Sequence, residues 1–182
     1  IGEGHWYAAP GTLQQSRSVT KSVMSVLIGI AIDSDEPGSR VSGNVIEGAS
    51  TIGHLAAGVP GAVAVLWAGH QRYGELPWKD VLAPAIRLAR DGFEVHALLA
   101  QNIARVEPRF AGRTNFGDYF GGLQAGDVHV QEELAKTLER IADQGPDGFY
   151  KGETADLIVA EMQRGEGLIS YRDLAEYTPV WR

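Results

Sequence analysis

Residues 153–165, ETADLIVAEMQRG, decide the fold class of this 182-residue chain. Four apolar side chains recur there at intervals of three or four residues, which places them on one face of a helix. They are Ala155, Ile158, Val159 and Met162. Gly165 then ends the pattern, as glycine often does after a last helical turn. The spacing predicts a helix over residues 153–164 with this face in a core.

Similar apolar spacing, divided by clusters of Gly, Pro and Asp, recurs along the chain. It predicts helices over residues 19–33, 61–71, 78–91, 95–105 (ending before Pro108) and from Asp127 or Val128 to 144. The side chains expected to face inward are Leu82, Ala85, Ile86 and Ala89, and then Leu134, Leu138 and Ile141. A short last helix follows Ser170, which with Asp173 resembles a capping box.

The remaining segments suggest little extended structure. Residues 51–59 are predicted as a strand and residues 109–126 as a long loop, because the latter are rich in glycine and aromatics without a period. The fold class expected from the whole pattern is mainly α with a few short strands.

Composition excludes several classes of function. Apolar residues make up 44% of the chain and charged residues 21%, which is typical of a globular protein. The net charge of −7 argues against non-specific binding of nucleic acid, which needs a basic surface. The absence of cysteine excludes disulfides and thiolate metal sites, and the five histidines lack the spacing of zinc motifs. No apolar run approaches the length of a membrane span. No leader precedes Ile1, and we expect both chain ends to continue in a longer protein.

A Ser-x-x-Lys pattern, Ser18-Val19-Thr20-Lys21, precedes the first apolar helix. One helical turn separates the two side chains, so the Lys21 amine can act as a base toward the Ser18 hydroxyl. Residues 15–33, QSRSVTKSVMSVLIGIAID, resemble the nucleophile helix of β-lactamase-type serine hydrolases. The resemblance implies that Ser18 is acylated and that Lys21 is its base. We assign residues 1–40 to this segment.

The other motifs of those hydrolases are not matched. Ser42-Gly43-Asn44 has the form of their second motif but follows Ser18 by only 24 residues, and Lys136-Thr137 is followed by Leu138 instead of glycine. The alternative for Ser18 is that it caps a hydrophobic helix.

Five other stretches form a second pattern, and we call them the family-like stretches. They are residues 53–61 (GHLAAGVPG), 73–78 (YGELPW), 82–93 (LAPAIRLARDGF), 147–152 (DGFYKG) and 167–174 (GLISYRDL). In order and spacing they resemble the large subunit of γ-glutamyltranspeptidase over about residues 44–182. We assign residues 41–182 to this helical region.

This second resemblance implies an incomplete piece of an α+β N-terminal-nucleophile hydrolase, of a periplasmic or secreted family. Such enzymes cleave γ-glutamyl amides such as glutathione and pass the acyl group to water or amino acids. The attacking group is the N-terminal Thr of a small-subunit partner, whose own α-amine is the base, so no cofactor or metal is implied. None of the seven threonines here has the Thr-Thr-His context of that nucleophile, so we transfer no catalytic residue. The expected chain is therefore inactive alone, or else it is a serine hydrolase or a non-catalytic helical module.

The helices of the large subunit normally pack on a sheet that this sequence does not encode. We therefore expect the isolated chain to expose apolar surface.

Overall fold

The computed structural model describes residues 48–180 and, for the backbone alone, residues 40–41 and 44–45. The predicted serine-hydrolase segment, with Ser18, Lys21 and the helix over residues 19–33, lies outside the described residues. The architecture that follows therefore concerns the helical region.

The described part is mainly α-helical, as predicted. The helices are α1 (Ala62–Tyr73), α2 (Trp78–Asp91), α3 (Ala97–Phe110), α4 (Phe116–Phe120), α5 (Glu132–Gln144), α6 (Asp147–Tyr150), α7 (Gly152–Arg164) and α8 (Tyr171–Glu176). The predicted limits of α1, α2 and α7 agree with these within two residues. The predicted capping box is present, since Ser170 accepts from the Asp173 amide while the Asp173 carboxylate accepts from the Ser170 amide.

Four two-residue strands form two antiparallel pairs. Strands β1 (Arg40–Val41) and β2 (Asn44–Val45) pair with each other, as do β3 (Phe93–Glu94) and β4 (Val128–His129). In the second pair Phe93 lies opposite His129, which brings together segments that are 36 residues apart. The strand predicted over residues 51–59 is wrong: the chain there makes a turn and the 3-10 helix His54–Ala56.

Three other predictions of element limits are wrong. Helix α3 continues through Pro108, because a proline in the last turn removes only one intrahelical hydrogen bond. Helix α4 lies within the predicted loop of residues 109–126. Helix α5 begins at Glu132 and not at residue 127 or 128, because Val128 and His129 pair with β3.

A first core lies among α1, α6, α7 and α8. Its buried members are Ala64, Tyr150, Ala155, Val159, Ile169 and Leu174, with Ile158 and Met162 packed against them. The predicted inward face of α7 is therefore confirmed.

A second core joins α2 to α5. Leu82, Ile141 and Ala142 are buried there, with Ile86 and Leu138 packed against them. The Trp78 indole N–H links α2 to α5 by donating a hydrogen bond to the Ile141 carbonyl at 3.0 Å. Ala85 and Leu134 were predicted to face inward, but both are exposed.

Two of the family-like stretches meet at the Tyr150 side chain. The Tyr150 hydroxyl donates to the Pro60 carbonyl at 2.6 Å and accepts from the Ala64 amide at 3.2 Å. Burial raises the pKa of Tyr150 to about 12, so the phenol stays neutral and keeps its proton for Pro60. The tyrosine thereby ties residues 147–152 to the start of α1.

Large apolar side chains remain exposed on several helices, in agreement with the expected apolar surface. Leu66 of α1, Leu88 of α2 and Leu157 of α7 are each more than half exposed. Apart from the masked residues, no helix of the chain has the length and apolarity that crossing a membrane requires.

Candidate functional site

An open cleft of about 400 Å³ lies between the 3-10 turn, the loop before α4 and the end of α7. Charged and polar side chains from these three elements line it. They are His54, Arg113, Thr114, Asn115, Asp118, Glu161 and Arg164.

His54 is held firmly at the base of this cleft. Its Nε2 lies 2.7 Å from Glu161 Oε1, and its side chain is only 15% exposed. The backbone of Gly165 lies against the imidazole, where a Cβ would come within 2.1 Å of the ring. Glycine at residue 165 thus does more than end α7, because it also leaves space for the histidine.

Glu161 is the electrostatic centre of the cluster. Arg164 donates to it through Nε at 2.8 Å, one turn along the same helix. The hydrogen bonds from Arg164 and then from His54 lower the pKa of Glu161 from the usual 4.5 to about 2. The same contact raises the pKa of Arg164, with a smaller contribution from the Asp118 carboxylate. Glu161 and Arg164 therefore keep opposite charges at neutral pH.

The opposite wall is set by the loop that leads into α4. Thr114 Oγ1 accepts from the Phe116 amide at 3.2 Å and so holds the first turn of that helix. Arg113 is exposed, and within the described part of the chain it makes no ion pair. Cations and anions are thus both present in the cleft.

Thr114 is the one aliphatic hydroxyl residue among those that line the cleft, and its hydroxyl holds the start of α4. Among residues 48–180, Ser170 is the one aliphatic hydroxyl that contacts a carboxylate, and that contact closes a helix cap. No group of three His, Asp or Glu side chains in the described part has the arrangement of a metal site.

Sequence reasoning missed this cleft. His54 and Glu161 are separated by 107 residues, and no short motif contains both of them. The sequence pattern around Gly165 predicts only the end of a helix. The predicted site residues Ser18 and Lys21 lie outside the described residues and remain a prediction.

The comparison with protein families identifies the whole region. The sequence model of the family described as Gamma-glutamyltranspeptidase matches residues 39–182. This chain belongs to the γ-glutamyltranspeptidase family. The resemblance to this family over about residues 44–182 is therefore confirmed.

Curated members of the γ-glutamyltranspeptidase family agree with this assignment. The glutathione hydrolase proenzyme of Pseudomonas aeruginosa is 55% identical over 140 residues, which cover 77% of this chain and 25% of the relative. The glutathione hydrolase proenzyme of Escherichia coli is 43% identical over 145 residues, again covering 77% and 25%. The chain thus spans about a quarter of the length of these relatives.

Solved structures of γ-glutamyltranspeptidases share the fold. A Pseudomonas nitroreducens γ-glutamyltranspeptidase complexed with L-DON matches with a TM-score of 0.75 and 51% identity over 81% of this chain and 44% of that one. The Helicobacter pylori enzyme matches with a TM-score of 0.72 and 37% identity, over 78% and 42%. The predicted fold class, a mainly helical piece of an N-terminal-nucleophile hydrolase, is confirmed.

Proposed function

We propose that this chain is part of the large subunit of an enzyme that cleaves γ-glutamyl amides, glutathione among them, and passes the γ-glutamyl group to water or amino acids. The observation that carries the proposal is the family match over residues 39–182. The 51% identity to a γ-glutamyltranspeptidase of the same fold supports it.

The attacking threonine, in this proposal, belongs to a small-subunit partner and not to this chain. Four of the five threonines among residues 48–180 support that view because their hydroxyls serve local structure. Thr51 donates to the Gly48 carbonyl, Thr137 to the Glu133 carbonyl and Thr154 to the Gly148 carbonyl, while Thr114 holds the start of α4. A threonine at the N-terminus of a partner would supply its own base, the α-amine.

The test is to exchange segments with an active relative. Residues 44–180 replace the matching region of the Pseudomonas aeruginosa glutathione hydrolase proenzyme, and release of p-nitroaniline from a γ-glutamyl anilide is followed. We expect the hybrid to process and turn over substrate, and the purified 182-residue chain to give none. A well-folded hybrid without turnover would contradict the proposal, as would turnover by the chain alone.

Ser18 and Lys21 define the alternative, a serine hydrolase of the β-lactamase type. The observation that favours it is the Ser-x-x-Lys pattern before an apolar helix. A fluorophosphonate probe that labels the chain, and fails to label Ser18→Ala, would support this alternative. If neither assay gives a signal, the chain is a non-catalytic helical module.

A further inference from the structure

The cleft between the 3-10 turn, the loop before α4 and the end of α7, which we call the charged cleft, contains one cation and one anion that no neighbour neutralises. Its charged lining side chains are Arg113, Arg164, Asp118 and Glu161. Glu161 and Arg164 pair with each other, and the lowered pKa of Glu161, about 2, keeps that pair charged at neutral pH. Arg113 and Asp118 are exposed, and their side chains make no hydrogen bond or ion pair among residues 48–180.

The wall that carries these two charges has a backbone held by its own hydrogen bonds. The Arg113 amide donates to the Phe110 carbonyl at 3.0 Å, and the Asp118 amide donates to the Asn115 carbonyl at 3.1 Å. The Thr114 hydroxyl is already engaged at the start of α4. The Asn115 side chain is exposed and makes no hydrogen bond in the described part, so its amide can both donate to a ligand and accept from one.

The balance of charge selects the kind of ligand. The negative charge of Asp118 acts on Arg164 of the opposite wall, whose pKa it helps to raise, so its field extends across the cleft. A ligand with a single charge would be attracted by one of the two unpaired groups and repelled by the other. A ligand with both charges can form a charge-assisted hydrogen bond with each. The volume of about 400 Å³ lies within the range of small-molecule sites.

We propose that the charged cleft binds a small zwitterion of the class of free α-amino acids. The Arg113 guanidinium binds the ligand carboxylate, the Asp118 carboxylate binds the ligand ammonium, and the Asn115 amide hydrogen-bonds to either group. The Glu161–Arg164 pair keeps its internal contact and forms the opposite wall. The proposal concerns binding by this chain and stands whether or not the chain supports γ-glutamyl transfer.

Three matched probes test the proposal on the purified 182-residue chain by saturation-transfer difference NMR at about pH 6.5, where α-amines stay protonated. L-leucine carries both charges, N-acetyl-L-leucine only the carboxylate and L-leucinamide only the ammonium. We expect saturable binding of L-leucine, roughly two- to fivefold tighter than that of either analogue, because each analogue loses one exposed ion pair. Absence of saturation with L-leucine, or an analogue that binds as tightly as L-leucine, would overturn the proposal.

Substitutions assign each ligand charge to its side chain. Arg113→Gln should make L-leucine and L-leucinamide bind alike, because the carboxylate has lost its partner. Asp118→Asn should make L-leucine and N-acetyl-L-leucine bind alike, because the ammonium has lost its partner. Arg87→Gln and Asp91→Asn, at exposed residues outside the cleft, are the matched controls and should preserve both preferences. A preference that survives the substitution of its partner, or one that a control variant also loses, would contradict the assignment.

Discussion

The core around Tyr150 and the arm formed by residues 97–131 are built in different ways. In the core, one phenol hydroxyl bonds both Pro60 and Ala64, and Arg140 Nε donates to Thr154 Oγ1, which in turn donates to the Gly148 carbonyl. The arm instead surrounds an apolar cavity and buries His129 Nε2 without a partner in the described part.

The family-like stretches follow the same division. Residues 53–61 and 147–152 meet in the core, whereas none of the five stretches lies within residues 97–131. The family-like residues at Pro60 and Tyr150 therefore close the core, whereas residues 97–131 lie mainly around the apolar cavity.

The largest effect is expected from Gly148→Ala. A Cβ at residue 148 would lie 2.1 Å from the Arg140 carbonyl oxygen, a backbone atom that cannot move without shifting α5. We expect a loss of about 3 kcal/mol in the free energy of unfolding, measured by urea denaturation. The control is Gly69→Ala in α1, where a Cβ meets nothing within 4 Å and should stabilise the helix by about 0.5–1 kcal/mol. Equal effects of the two would refute the close packing of α6 on α5.

The second largest effect is expected from Tyr150→Phe. It removes the hydroxyl and leaves the Pro60 carbonyl and the Ala64 amide unpaired, so we expect a loss of about 2 kcal/mol in unfolding free energy. Tyr177, whose ring stacks on Tyr150 at 5.8 Å, is the matched control because its hydroxyl makes no hydrogen bond within the described residues. Tyr177→Phe should change stability by less than about 0.5 kcal/mol. The reverse ranking in chemical denaturation would contradict the role given to Tyr150.

A pair of valines compares the two regions directly. Val159 is 4% exposed in the first core, whereas Val106 lines the cavity and is half-buried. Truncation to alanine should cost about 2 kcal/mol at residue 159 and about 1 kcal/mol or less at residue 106, because Val106 already lacks neighbours on one side. Thermal unfolding of the two variants would measure the difference, and a larger loss at Val106 would show that the arm is packed as tightly as the core.

The smallest effect is expected in the dependence of stability on acidic pH. Because the pKa of Glu161 is lowered from 4.5 to about 2, its contribution to stability is complete above pH 4.5 and is lost as the pH falls toward 2. The side chain is 37% exposed, so salt should screen the effect further. Glu161→Gln should unfold more easily than the parent chain at pH 6 and equally at pH 2. Glu133→Gln, at an exposed residue, serves as the control. A stability difference between Glu161→Gln and the parent chain that grows toward low pH would contradict the stabilising role given to Glu161.

Local patterns in the sequence predicted much of the fold. The three- and four-residue spacing in α7, the breakers around α2 and the Ser170–Asp173 cap each depend on neighbours within a few residues. Such signals are visible without knowledge of the rest of the chain.

The wrong predictions share one cause, which is dependence on distant contacts. Val128 and His129 form a strand only because Phe93 and Glu94 lie beside them, so the sequence alone suggested a helix start. The charged cleft depends on a bond between residues 54 and 161. Even the orientation of Leu134 required knowledge of where α2 lies, because helical spacing defines a face without naming its partner.

Hydrogen–deuterium exchange of the 182-residue chain, read by mass spectrometry, tests most directly whether the family-like stretches close the core. Amides in α1 and α7 should exchange most slowly, and those in α3 and α4 should exchange markedly faster, since few buried contacts hold the arm. Tyr150→Phe should accelerate exchange in α1 and leave α3 unchanged. Exchange in the arm as slow as in the core, or a Tyr150→Phe pattern identical to that of the parent chain, would contradict this account.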